Sequence, residues 1–284
     1  MTIHAHPDDE ASKGAPTLAR YSAEGVRTVL VCCTDGAEGD IQNPAVDHVH
    51  IRENMVAVRA EELRRSADVI GFRDVIMLGY RDSGMPETPA NSHPGSFHMS
   101  SVDEATGRLV SAIRRTRPQV IITYSDEQQG YPHPDHLKVH DISVLAFDRA
   151  GAEKWYPEAG DPWQPAKLYY SVWSRARLEA WHLKYGELGL ESPFDEKWFT
   201  RPWQDERITT RLDIRDYWWA RRAALLAHET QVDPNEKFWF GLPDDAMVDA
   251  YPWEDWILAR GSSGVAPGDI EDDLFAGVRE PISR

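Results

Sequence analysis

Residues 27–33 (RTVLVCC) include three β-branched residues, and from Val29 to Cys33 they carry apolar side chains on consecutive positions rather than on alternate ones. A strand with that pattern is buried on both faces, which requires helices above and below a parallel sheet. The neighbouring sequence supplies them. Residues 12–24 place small or apolar side chains at Ala15, Leu18, Ala19 and Ser22 and stop at Gly25, with Pro16 tolerable only in the first turn. Further helices are expected over 52–71, 102–115 and 135–150, and further strands over 1–5, 75–78, 120–124 and 167–173. This alternation predicts an α/β fold, a Rossmann-like, mostly parallel sheet flanked by helices.

The organisation changes past Gly151. All 11 Trp lie beyond residue 150, in stretches read as helical over 175–186 and 216–228. Residues 261–284 are rich in Gly, Pro and Asp and read as a tail on the surface. We therefore expect residues 1–174 to form a Rossmann-like, metal-binding catalytic region. Residues 175–284 would form a smaller, helical, Trp-rich lobe with the tail, closing the active site within one compact unit. Each Trp fits aromatic packing, and some fit the wall of a substrate cleft.

The chain has 47 acidic against 31 basic residues, a formal net charge of -16. That disfavours nucleic acid or an anionic membrane as partner, since both call for a basic footprint. A neutral, sugar-like small molecule is compatible. A homo-oligomer stays open. No apolar run reaches the length of a membrane span, and no signal-peptide pattern precedes the first strand. Cys32 and Cys33 are adjacent, so they point to opposite faces of a strand and read as small core residues rather than a disulfide. A cytoplasmic location is expected.

Ligand sites of doubly wound sheets lie beyond the carboxyl ends of the strands. Four charged loops fall there: residues 4–10, 35–40, 81–83 and 125–136. The first reads His4-Ala5-His6-Pro7-Asp8-Asp9-Glu10, and the last closes on Tyr131-Pro132-His133-Pro134-Asp135-His136. Taken alone, the second motif is as readily a capped loop–helix junction. Paired with the first, it points to a shared cation. His6 and Asp9 are three apart on one turn and His136 heads a helix; two imidazoles and a carboxylate leave zinc an open position for water. Iron or another divalent ion suits the same donors. Asp8 would point away from Asp9 and serve as general base. His133, with Asp135 as its orienting partner, would donate to an oxyanion or a leaving amine. The first turn lacks the glycine spacing of a dinucleotide site, and no His-Glu-x-x-His helix or Cys-x-x-Cys pair occurs.

On these two motifs the chain resembles the LmbE-like (PIG-L) family of zinc-dependent N-deacetylases and amidases. Shorter matches extend the likeness nearly end to end, among them Asp82-Ser83-Gly84, Lys167-Leu168-Tyr169-Tyr170, Thr230-Gln231-Val232-Asp233-Pro234 and Asp273-Leu274-Phe275-Ala276-Gly277. They point to the family's amidase branch. The resemblance implies hydrolysis of an amide on the glucosamine nitrogen of a glucosaminyl-inositol thiol conjugate. The alternatives are deacetylation of the N-acetylated pseudodisaccharide, or sugar binding without catalysis. It implies zinc on His6, Asp9 and His136, Asp8 as base, His133 as electrophile or acid, and Tyr131 as a mobile donor to the tetrahedral intermediate. Asp40, Arg59, Asp82 and Gln231 would hold the sugar and inositol. Lys13 would meet the acyl part of a conjugate, unless it is an exposed lysine of the first helical turn. Arg59 and Asp82 fit a structural ion pair as well. Glu10 and His4 are expected to support the ligands, and His228 to serve packing.

The chain departs from the family pattern at Asp40, where Glu is common, at Arg81, and in the loop over residues 126–130. These differences bear on the substrate. A specialised role, such as removing a thiol carrier during natural-product assembly, stays open.

Overall fold

The computed structural model describes residues 1–128 and 130–279. Gln129 of the fourth loop and residues 280–284 of the expected tail lie outside the described residues. The sheet has seven strands: β1 (Thr2–His4), β2 (Val29–Thr34), β3 (Asp74–Tyr80), β4 (Val120–Tyr124), β5 (Lys167–Val172), β6 (Thr210–Asp213) and β7 (Trp253–Arg260). Their order is β3-β2-β1-β4-β5-β7-β6. The first five are parallel, with Ile3 beside Val31 and Thr2 beside Ile122; β7 runs antiparallel to β5 and to β6. All six residues of β2 are buried, as its unbroken apolar run requires.

The helices are α1 (Asp9–Ser12), α2 (Ala15–Ala23), α3 (His48–Ile70), α4 (Val102–Thr116), α5 (Pro134–Ala150), α6 (Arg175–Glu187), α7 (Glu196–Thr200), α8 (Trp219–Ala227), α9 (Lys237–Phe240) and α10 (Asp244–Ala250). On one face of the sheet, Leu109 and Ile113 of α4 and Val139 and Ile142 of α5 pack against Ile3, Val31, Cys33 and Ile121. On the other, Leu18 of α2, Trp181 of α6 and Leu225 of α8 form an aromatic-rich core with Tyr169 and Trp256. Cys32 joins Leu63 and Ala67 of α3, so the two free cysteines do face opposite layers. Among the described residues, no helix is long and apolar enough to cross a membrane.

Four expectations need correction. The helix expected over 12–24 starts only at Ala15; the short α1 before it ends at Ser12, and the chain turns at Gly14, whose φ is +107°. A Cβ there would come within 2.8 Å of the Trp256 ring, so the break is where β7 packs against the N-terminal turn. The helix expected from 52 begins at His48 because the Asp47 side chain accepts from the Val49 and His50 amides. The region after 174, read as helical, also contributes β6 and β7. Charges inside β7 hid it from a hydropathy reading: Glu254 and Asp255 are buried, held by Arg221 and Thr17, and by Arg211, Ser174 and Tyr251. Nor does the tail merely wrap the surface. Glu271 is fully buried, accepts from Lys167 Nζ at 2.7 Å, Tyr169 OH at 2.5 Å and Thr210 Oγ1 at 2.7 Å, and bridges to β6.

Candidate metal centre and active site

The strand order reverses between β1 and β4. The chain leaves β1 towards β2, whereas β4 continues towards β5, so the loops after these adjacent strands part and leave a crevice between them. One loop carries His6, Asp8 and Asp9; the other carries Tyr131, His133 and His136. Sequence distance closes here into contact. The His6 and His133 ring centres are 4.6 Å apart, and those of His6 and His136 5.3 Å apart.

Asp9 Oδ2 stands 3.5 Å from His6 Nδ1 and 3.4 Å from His136 Nε2. Two ligands about 2.1 Å from a tetrahedral zinc stand roughly 3.4 Å from each other, so Asp9 is spaced from each imidazole as two ligands of one ion would be. Three donors all within 4.8 Å of one another are offered by His6, His133 and His136 and by His6, Asp82 and Asp135; the anticipated set of His6, Asp9 and His136 is not such a group, and His133 is the more closely clustered third donor. The far side of the His6 ring is fixed by carboxylates. Nε2 lies 3.2 Å from Asp135 Oδ2 and 3.3 Å from Asp82 Oδ1, the second-layer support that orients a metal-binding imidazole. Burial works against charge on His6, yet hydrogen bonds to Asp135, Asp82 and Asp9 raise its pKa well above the ordinary histidine value. Burial lowers the pKa of His136, so its ring is neutral near pH 7, whereas His6 would have to give up its proton to bind a metal. Lys13 Nζ sits 2.5 Å from Asp9 Oδ1. The carboxylates around His6 thus favour positive charge there, while Lys13 already neutralises one side of Asp9.

Asp8 turns away from Asp9 because its backbone adopts φ +123°, a conformation rare outside glycine and typical of constrained functional turns. Its Oδ2 accepts from Arg59 Nη2 at 2.7 Å. Burial lifts its pKa above the usual carboxylate range against the pull of Arg59, which suits a base. Arg59 is buried and also donates to Pro7 O and Gly36 O. The ion pair offered as an alternative role for Arg59 and Asp82 is formed by Arg59 with Asp8 instead. Asp82 accepts from the Glu38 and Gly84 amides, besides holding His6. Burial alone would raise its pKa, but His6 and the Gly84 amide take it below the ordinary range.

Asp135 does not orient His133 through its carboxylate, as expected; that carboxylate accepts from the Ser83 amide at 3.0 Å, from Ser83 Oγ and from His6. The Asp135 backbone N–H donates to His133 Nδ1 at 3.2 Å. Burial brings the pKa of His133 down to about 4, so its ring is neutral near pH 7 and carries its proton on Nε2. Two histidines also differ from expectation. His4 bonds Thr2 Oγ1 at 2.7 Å rather than a donor of the cluster, and His228, expected as packing, bonds Glu10 Oε1 at 2.6 Å.

A cavity of about 380 Å³ opens over the cluster, lined by Asp8, Lys13, Asp40, Arg59, Asp82, Tyr131 and Gln231. Every side chain anticipated there lines it, apart from the buried Asp135.

A family model described as GlcNAc-PI de-N-acetylase matches residues 1–147, the part that carries both motifs. The chain belongs to the PIG-L family. It is 43% identical over 289 residues to a mycothiol S-conjugate amidase of Streptomyces coelicolor, covering 99% of this chain and 97% of that one. It is 38% identical over 293 residues to a 1D-myo-inositol 2-acetamido-2-deoxy-alpha-D-glucopyranoside deacetylase of Geodermatophilus obscurus, covering 98% and 97%. The fold matches that of an N,N'-diacetylchitobiose deacetylase from Pyrococcus horikoshii with a TM-score of 0.63, at 16% identity, over 90% of this chain and 82% of that one.

This PIG-L chain lines its cavity with further residues that the motifs did not reveal. Glu38 and Gln42 come from the loop after β2, Met85 from the loop after β3, and Leu225, Val232 and Trp239 from the C-terminal part. The glycine-spaced loop over 35–40 had signalled Glu38 but not Gln42 just beyond it; the others are scattered apolar residues with no local pattern.

Proposed function

We propose that this PIG-L chain is a zinc-dependent amidase that hydrolyses the amide on the glucosamine nitrogen of mycothiol S-conjugates or a related glucosaminyl-inositol thiol adduct. The observation that carries the reading is the meeting of His6, Asp9 and His136 at the β1/β4 crevice, beneath a polar cavity in a chain so similar to a conjugate amidase.

His6, Asp9 and His136 would hold the ion, with Asp82 and Asp135 fixing the His6 ring. When bound, zinc brings the pKa of water to about 7 and acts as a Lewis acid towards a carbonyl. Asp8 takes the proton of the attacking water, its carboxylate held in place by Arg59. The amide carbon becomes tetrahedral, and His133 donates from Nε2 to the oxyanion, joined by the Tyr131 hydroxyl. The C–N bond then breaks, the proton held at Asp8 reaches the leaving nitrogen, and the products are a carboxylate and the free glucosaminyl amine. Asp40, Arg59, Asp82 and Gln231 line the side on which sugar and inositol hydroxyls would sit.

The test compares zinc-loaded protein on an S-conjugate and on the N-acetylated pseudodisaccharide. Faster turnover of the conjugate is expected. A strong preference for the acetylated compound would make the chain a deacetylase, and binding without hydrolysis of either would make it a sugar-binding homologue.

A further inference from the structure

A second cavity, of about 240 Å³, lies on the other side of the cluster. Lys13, Tyr131 and His136 line both cavities, so they form the wall between them. The two spaces differ in chemistry. The first is floored by carboxylates, Arg59 and Gln231, groups that match hydroxyls. The second is walled by Trp173, just past β5, and by Arg201, Pro202 and Trp203. If the glucosamine side of an amide occupies the first and its carbonyl stands at the cluster, the acyl side can run past Lys13, Tyr131 and His136 into the second.

Arg201 gives that space a charge preference. Its guanidinium lies over aromatic carbon, with Cζ 3.9 Å from the Trp198 ring centre and 5.7 Å from that of Trp203. Among the described residues it has no carboxylate partner. Burial lowers its pKa with no opposing charge to raise it, unlike Arg207 next along, which Asp126 holds. Glu127, the one carboxylate in the lining, is itself engaged. The wall is also anchored to the catalytic loop: Ser125 Oγ donates to Gln204 Oε1 at 2.6 Å, and Gln204 Nε2 donates to Glu127 O at 3.2 Å. A Cβ on Gly130 would stand 3.5 Å from Arg201 Nη1, so Arg201 flanks the turn that presents Tyr131.

From this geometry we infer that the cavity between Trp173 and Trp203 is the acyl-side subsite, and that Arg201 makes it select S-substituents carrying an aromatic ring and a carboxylate. This rests on the amidase reading for the direction of the substrate. The subsite itself is testable without turnover.

Two free ligands serve as probes, S-(4-carboxybenzyl)-N-acetylcysteine and its 4-carbamoylbenzyl counterpart, titrated into zinc-loaded full-length protein and read by tryptophan fluorescence. The carboxylate probe should bind about tenfold more tightly, the worth of one charge-assisted hydrogen bond. R201Q should abolish that ratio and R201K should keep part of it, while both bind the carbamoyl probe about as tightly as wild type and keep the thermal midpoint close to it. An unaltered ratio in R201Q, or equal losses on both probes, overturns the inference. Should no amide be hydrolysed while the ratio behaves as stated, the amidase reading falls and the subsite stands.

Discussion

His228 Nε2 lies 2.6 Å from Glu10 Oε1, joining residues 218 positions apart, and both side chains are fully buried. The same carboxyl group accepts from Ser66 Oγ of α3 and, through Oε2, from the Asp8 amide. Asp8 is thus held at its unusual φ by a contact that originates in the C-terminal part of the chain. Next to His228, Thr230 donates from its amide and its hydroxyl to Glu62, which brings Gln231 over the cavity. One short segment therefore serves both the base and the sugar wall.

Removing one partner of such a pair leaves a buried charge uncompensated. Glu10→Gln should cost about 3 kcal/mol of unfolding free energy, measured by urea denaturation at pH 6. The pH dependence has a definite sign. Burial opposes ionisation of Glu10, but His228, Ser66 and the Asp8 amide bring its pKa down to about 2 from 4.5. Its contribution is full above 4.5 and fades as pH falls towards 2. Burial opposes charge on His228 too, yet Glu10 raises its pKa above 6.5, so that contribution is full below 6.5 and fades as pH rises through the raised value. The difference between wild type and Glu10→Gln should peak between about pH 4.5 and 6.5. A flat difference would deny the pair its electrostatic role.

Metal binding and base catalysis separate by mutation. Asp8→Ala keeps all three candidate ligands and should retain zinc after dialysis while losing roughly 10²- to 10⁴-fold in kcat. His136→Ala should lose metal by elemental analysis along with activity. Full zinc content in the second variant would remove His136 from the ligand set and bring His133 forward in its place.

Lys13 offers a different test. Its ammonium lies 2.5 Å from Asp9 Oδ1, where it competes with a cation for the same carboxylate. Lys13→Met should therefore tighten zinc binding in a chelator competition. The same side chain lines both cavities, so turnover of S-conjugates should fall more than that of the acetylated substrate. Weaker zinc binding would make Lys13 a support for Asp9 rather than a competitor.

Much of this centre could be read from the sequence because its chemistry sits in two short motifs, each at the end of a strand. A parallel sheet delivers such ends to one edge, so local pattern sufficed to bring His6 and His136 together. The partners of those residues were harder to foresee. Asp135 points to His6 and Ser83 rather than to His133, a matter of side-chain direction within one helical turn. Arg59 lies on α3, 51 positions from Asp8 with α1, α2 and β2 between them, and only the fold brings them into contact. The strand β7 went unseen because Glu254 and Asp255 mimic a solvent-facing stretch, whereas Arg221 and Arg211 neutralise them inside. Trp173 and Trp203 were legible as aromatics in number, but not as the wall of a particular cavity.

The loop after β2 tests whether close packing sets affinity on the sugar side. A Cβ on Gly39 would come 2.5 Å from Arg59 Nη1 and 2.6 Å from Gln231 Oε1, two side chains of the polar cavity. The φ of Gly39 is not in the left-handed region, so alanine brings no backbone strain there. Gln231 is held by one bond to Thr230 and yields readily, whereas Arg59 is fixed by Pro7, Gly36 and Asp8 and does not. Gly39→Ala should thus displace Gln231 and the loop rather than Arg59, leaving Asp8 in place. The expected result is KM raised about tenfold, since one lost hydrogen bond to a substrate hydroxyl is worth on the order of 1 kcal/mol or slightly more. The unfolding midpoint and kcat should stay near wild type. A fall in kcat at constant KM would mean that the loop acts on Asp8 through Arg59, and that this side of the cavity positions the base rather than the sugar.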